Sequence, residues 1–166
     1  MANADIYLKL EGVKAESSDA AHKDEMEIVS FSFGVSQAVT QSASGDGTFT
    51  VGRCQMSPVT VGKALDASSP ILAQACASGK HFPSATLTLN RAMTADGTKA
   101  PYMVYTLTDV LIESISTGGS GGGDLPHETM SLVYGQINWD YMLTKTTGDT
   151  PSHVLGGWSL KENKAV

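Results

Sequence analysis

Alternation of apolar and polar residues governs most of the chain. In "DIYLKL", Ile6, Leu8 and Leu10 share one face while Tyr7 and Lys9 take the other. "EIVSFSFGV" sets Val29, Phe31, Phe33 and Val35 against Ser30 and Ser32, and "ATLTLN" alternates Leu87 and Leu89 with Thr86 and Thr88. A period of two sends successive side chains to opposite faces of a strand, and Thr, Val, Tyr and Phe suit a pleated surface. Two longer runs, "YMVYTLTDVLIESI" and "HETMSLVYGQINWDYML", are apolar on both faces in places. The pattern predicts a mainly β chain.

One segment departs from it. "DASSPILAQACASGKH" carries Ser69 as a helix N-cap, Pro70 at the first helical position and Gly79 as the terminating glycine. Ile71, Leu72, Ala75 and Cys76 fall on one face, which predicts a single helix packed on the sheets, with Ile71 and Cys76 in the core. "SQAVTQSASGDGTFT" is small and polar with few core anchors, a long loop of the kind that is usually functional or disordered. No linker or repeat divides residues 1–166, so they read as one domain.

The 166 residues carry 11 Lys and Arg against 17 Asp and Glu, a formal charge of −6. Scattered cations on an acidic chain exclude a phosphate-tracking surface, and hence nucleic acid as a partner. No apolar stretch approaches the roughly 18 residues that span a membrane, so no stable membrane insertion is expected. The start, "MANADIYLKL", lacks the basic and apolar parts of a secretory signal; export, if it occurs, is expected to proceed without a cleaved one. Cys54 and Cys76 are too few for a disulfide framework and read as free thiols.

The stretch "STGGSGGGD" places five glycines within six positions. Gly118 and Gly123 have the spacing of a phosphate loop, but Asp124 stands at the lysine position, and Leu125-Pro126 lead into a strand. Gly118, Ser120 and Gly122 match a nucleophile elbow, with Asp140 or Asp149 and His153 following in the order Ser, Asp, His. That motif needs a strand turning sharply into a helix, which this sequence lacks here. His22, His81, His127 and His153 show no metal-ligand spacing, and His127 and Glu128 point to opposite faces of a strand. Asp24, Glu25 and Glu27 could serve as acid–base carboxylates, but a solvated charged edge fits them better. No catalytic, cofactor or metal site emerges.

Taken in order, "IYLKLEGVKAES", "SFSFG", "SSPIL", "ACASGKHFPSATL", "STGGSGGGD", "ETMSLVYGQINWDY" and "GGWSL" resemble the Hcp (haemolysin-coregulated protein) family, the inner-tube proteins of bacterial type VI secretion. The resemblance implies two β-sheets closed into a barrel-like sandwich, with one flanking α-helix and an extended loop. It implies homo-hexameric rings that stack into a tube, driven by a contractile sheath behind a VgrG-type spike. Small effector proteins would ride in the lumen. Assembly in the cytoplasm, export to the extracellular space or a target cell, and no enzyme activity or cofactor also follow from it. Ser30 and Ser32, which alternation places on a face opposite the phenylalanines, become lumen-facing candidates. Gln41, Ser42, Ser44, Gly45 and Asp46 in the polar loop, with Gly118, Gly119, Gly121, Gly122 and Gly123, become ring or stacking contacts. In that setting the glycine run would provide positive φ and close approach between neighbouring chains. The alternatives are a tail tube protein of a phage-like contractile particle, a tube protein with a fused toxin, for which the chain leaves no room, and a small serine hydrolase using Ser120.

Overall fold

The computed structural model describes residues 4–41, 47–92, 99–143 and 152–166. Ser42, Ser44, Gly45, Asp46 and Asp149 lie outside them. The elements in chain order are β1 (Asp5–Leu10), β2 (Met26–Ile28), β3 (Ser30–Ser32), β4 (Val35–Gln41), β5 (Phe49–Met56), β6 (Val59–Ala64), α1 (Ser69–Ser78), β7 (His81–Ala92), β8 (Lys99–Gly118), β9 (His127–Leu143), β10 (Ser152–Ser159) and β11 (Lys164–Ala165).

Nine strands form one sheet with the path β11-β10-β9-β8-β7-β1-β2, and β6 and β3 continue it from β9. All pairings in it are antiparallel. β4 and β5 make a separate two-stranded ribbon. The long strands β8 and β9 run through both layers of the molecule. β7 accompanies β8 only as far as Leu111; on the far side of β9, β6 pairs with His127 to Leu132 and β10 with Gln136 onward. The fold-over lies near Asp109, whose φ of 54° is unusual for a residue with a side chain. Gly135 sits opposite, where an added Cβ would lie 3.5 Å from the Asp109 Cβ. A register shift between Ile112 and Ser114 adds to the bend. The result is a sandwich of two layers rather than a closed barrel.

A single core fills the space between the layers. Leu8, Leu10, Leu87, Leu107 and Ile137 meet Val59, Val61, Met130, Leu132 and Ile112, all buried. Alternation in β1 and β7 orients Leu8, Leu10, Leu87 and Leu89 inward as expected. The "EIVSFSFGV" stretch does not follow a single alternation. Met26 and Ile28 are buried, Val29 is exposed, and inward alternation resumes at Phe31. Val29 is the corner where the chain leaves β1 for β6, its amide bonding the Gly62 carbonyl at 2.8 Å. Phe31 and Phe33 are half-buried at the margin of the core, against Tyr105 and Trp139, and Val35 is exposed on the ribbon.

The helix ends at Gly79, in the left-handed conformation that glycine adopts without a Cβ penalty. Its start falls one residue earlier than expected: Ser68 is the N-cap, because Ser69 donates its hydroxyl to Glu128 at 2.7 Å. The buried face is Ser69, Leu72 and Ala75, with Cys76 half-buried, while Ile71 is 44% exposed. The expectation of a buried Ile71 is therefore overturned; the helix rolls toward Leu72, which is fully covered.

Candidate functional site

Strand pairing assembles a polar surface that no single segment displays. In the layer β3-β6-β9-β8, Ser32 pairs with Thr60, Thr60 with Ser131 and Ser131 with Ser114. The neighbouring row runs Ser30, Gly62, Thr129, Ser116. Residues directly opposite in a sheet share a face, so seven hydroxyls and one glycine lie side by side, with the exposed bulge residue Glu113 next to Ser114 at their margin. Ser30 and Ser32 are exposed on this face, as are Ser114, Ser116 and Thr129. Thr60 and Ser131 share a hydrogen bond of 3.0 Å, and the Ser30 hydroxyl occupies the space a Cβ at Gly62 would need. Beneath lie Val59, Val61, Met130, Leu132 and Ile112, so period-two patterning makes one face core and the other hydroxyl.

This layer ends in two unpaired edges among the described residues. β3 pairs only with β6, and β8 has no strand partner on its β7 side beyond Leu111. At one end of the layer is the glycine run. Gly122 alone in it has a positive φ, 80°. Gly119 lets the chain pass Pro126, since a Cβ there would sit 3.0 Å from the proline Cβ, and Gly123 makes room for the Ser120 hydroxyl. Gly118 and Gly121 have nothing within 4 Å of an added Cβ, so no contact inside the subunit requires glycine there.

The base of this loop is fixed by a buried ionic cluster that alternation did not reveal. Lys63 is 1% exposed and Glu128 3% exposed, on directly paired positions of β6 and β9. The Lys63 ammonium lies 2.9 Å from Glu128 and 2.9 Å from Asp66, and also donates to the Ala64 carbonyl. Glu128 accepts further from Ser69 and from Thr117, the residue before the glycine run. Burial alone would raise the Asp66 carboxyl. Hydrogen bonds from the Ser68 hydroxyl and the Lys63 ammonium, and then the Ser68 amide and the Lys63 charge, outweigh it and lower it overall.

At the other end of the layer stands the β4–β5 ribbon, which replaces the expected long loop. Register places Val35, Gln37, Val39 and Gln41 on one face with Met56, Cys54, Val51 and Phe49. The opposite face carries Ser36, Thr40, Thr50 and Gln55. Phe49 is 64% and Val51 66% exposed, so the apolar face is uncovered. The ribbon's root is held firmly. Gly34 and Ser57 bond each other through both backbone and side chain, and the Tyr134 hydroxyl donates to the Ser57 carbonyl at 2.8 Å. Burial pushes the Tyr134 phenol up to about 12, so it remains a donor. Arg53 donates to the Leu160 carbonyl at 2.7 Å. Gln41 sits at the ribbon's outer end, exposed.

The serine hydrolase arrangement does not assemble. His153 Nδ1 lies 2.9 Å from Asp140 across the β9–β10 pair. Ser120 is in the loop before β9, and the 13 residues from His127 to Asp140 alone span about 40 Å of strand. The other histidines lie apart, with His22 on Glu25 and Asn90, and His81 on Asp109. Among the described residues no group of three His, Cys, Asp or Glu could hold a metal ion, and no helix is long and apolar enough to cross a membrane.

The family model described as "Type VI secretion system effector, Hcp" matches residues 7–141. The chain belongs to the Hcp family. It is 36% identical over 160 residues to Protein hcp1 of Pseudomonas aeruginosa, covering 96% of each chain. A solved structure of a type six secretion system protein superposes with a TM-score of 0.88 at 32% identity, over 99% of this chain and 100% of the other. Hcp1 from Salmonella typhimurium gives 0.79 at 31% identity, with both chains fully covered. The chain is thus a tube and effector protein of type VI secretion, a secreted component. Within that family the hydroxyl layer, the two open edges, the glycine loop and the ribbon are this chain's candidate working surfaces.

Proposed function

We propose that six copies close into a ring whose lumen is walled by the β3-β6-β9-β8 layer, and that rings stack into a tube. The observation that carries this is the pairing of two uncharged hydroxyl rows with two open strand edges in one layer. Open edges invite the same layer of the next copy, and a hydroxyl face offers hydrogen bonds without filling a channel. The glycine loop and the ribbon stand at opposite ends of that layer, which suits them to ring-to-ring contact. Gly118 and Gly121, which no contact inside the subunit explains, then serve close approach by a neighbour. On this reading a sheath and a VgrG-type spike are the machine's other parts, and small effector proteins travel in the lumen. Ser30 and Ser32 line that lumen together with Thr60, Ser114, Ser116, Thr129 and Ser131. The role is mechanical and carrying, without enzyme activity.

The substitution Ser32→Gln tests the lumen assignment. It should leave ring formation intact and lower the effector recovered with purified rings. Equal recovery from Ser32→Gln and wild-type rings would remove this face from the cargo surface.

A further inference from the structure

The ribbon and the β10 edge each lack something that the other supplies. A lone two-stranded ribbon is marginally stable in water and gains from a third strand or an apolar surface. Here β4 and β5 have seven and eight residues, with both outer edges unpaired among the described residues and Val35, Val39, Phe49 and Val51 exposed. On the body, β10 is paired by β11 only at Trp158 and Ser159, so Ser152 to Gly156 present an unpaired edge among the described residues. That edge has none of the usual protection, neither proline nor lysine. Val154 and Leu155 point to opposite faces of it, and both are exposed, Leu155 by 74%. Among the described residues no strand pairing joins the ribbon to β10.

We infer that the β4–β5 ribbon of one copy adds to the open β10 edge of a second copy. This rests on the reading of the chain as a ring-forming subunit. The four exposed ribbon side chains Val35, Val39, Phe49 and Val51 offer on the order of 400 Å² against the roughly 800 Å² per partner of a stable interface. Side-chain packing alone falls short, and the backbone hydrogen bonds of an added strand complete the contact. Donor and acceptor are different surfaces, so the contact is head-to-tail and extends to a closed ring or a continuing stack. A flush association of like faces would leave one ribbon and one β10 edge uncovered.

The test compares wild type with Leu155→Pro, which removes an N–H on the side of β10 away from β9, and Leu155→Lys, which puts a charge on the edge. Far-ultraviolet circular dichroism first checks that each variant is folded. Sedimentation velocity and amide exchange then follow assembly and the ribbon. The expected result is at least a tenfold loss of assembled species in both variants, with ribbon amides protected in wild-type assemblies and exchanging freely in the variants. Rings that form normally in either folded variant would overturn the inference and leave the ring reading standing. So would ribbon amides that exchange freely in wild-type rings. Wild-type protein that stays monomeric under all conditions would defeat the ring reading itself, and the inference with it.

Discussion

Substituting Lys63 by methionine removes the cation at the base of the glycine loop and keeps most of the side chain's volume. The ammonium lies 2.9 Å from two carboxylates, and Glu128 would be left 3% exposed with only the Ser69 and Thr117 hydroxyls as donors. Breaking a buried ion pair by removing one partner costs about 3–5 kcal/mol, mostly the penalty of an uncompensated charge. With a urea dependence of about 2 kcal/mol per molar, the unfolding midpoint should fall by about 1.5–2.5 M. Glu128→Gln on the same background removes the stranded charge while retaining an oxygen for Ser69 and Thr117. The double variant should therefore recover about 1–3 kcal/mol relative to Lys63→Met alone. Urea titration by fluorescence, at one protein concentration because assembly adds to apparent stability, measures both. A single-variant cost below about 1 kcal/mol, or strictly additive effects in the double-mutant cycle, would refute the argument that these charges depend on each other.

Three further outcomes follow from the same structure. Leu72→Ala should cost about 2–5 kcal/mol and Ile71→Ala less than about 1 kcal/mol, since Leu72 is fully covered and Ile71 is not; thermal unfolding of the pair decides it. The Asp66 carboxyl is lowered from its ordinary 3.8, so its stabilising contribution is present above that value and lost as pH falls through the lowered folded value. Asp66→Asn should therefore flatten the acid limb of the stability–pH curve below about pH 4. Gly119→Ala should destabilise the loop, because its Cβ would press on Pro126 at 3.0 Å, whereas Gly121→Ala should leave the isolated subunit unchanged; differential scanning calorimetry on both separates them.

The parts of the fold legible in the sequence are those set by local rules. Period-two alternation marked β1 and β7, Pro70 and Gly79 bracketed the helix, and the glycine run read as a connection between strands. Ile71 and Leu72 are adjacent apolar residues on a ten-residue helix, and only the sheet beneath decides which is covered. Val29 looked like part of an alternating strand, but the chain turns a corner there to change partners, a tertiary event. Val35, Val39, Phe49 and Val51 do favour strands, but the Ser, Gly and Asp residues between the two runs make the whole stretch read as one loop. Ser30 and Ser32 were visible as an outward pair. Thr60, Ser114, Ser116, Thr129 and Ser131 were not, since register between distant strands selects them. Lys63 and Glu128 are 65 positions apart and meet only through that same register. Asp140 and His153 were legible as polar residues in chain order, and the structure pairs them while leaving Ser120 at the far end of β9.

The proposed function depends on this Hcp chain building a ring around an open lumen. Electron microscopy of the purified full-length protein at micromolar concentration tests it most directly. Six-fold rings with a central hole, single or stacked, are the expected result. A uniform field of monomers, matched by a single monomer boundary in sedimentation, would contradict it.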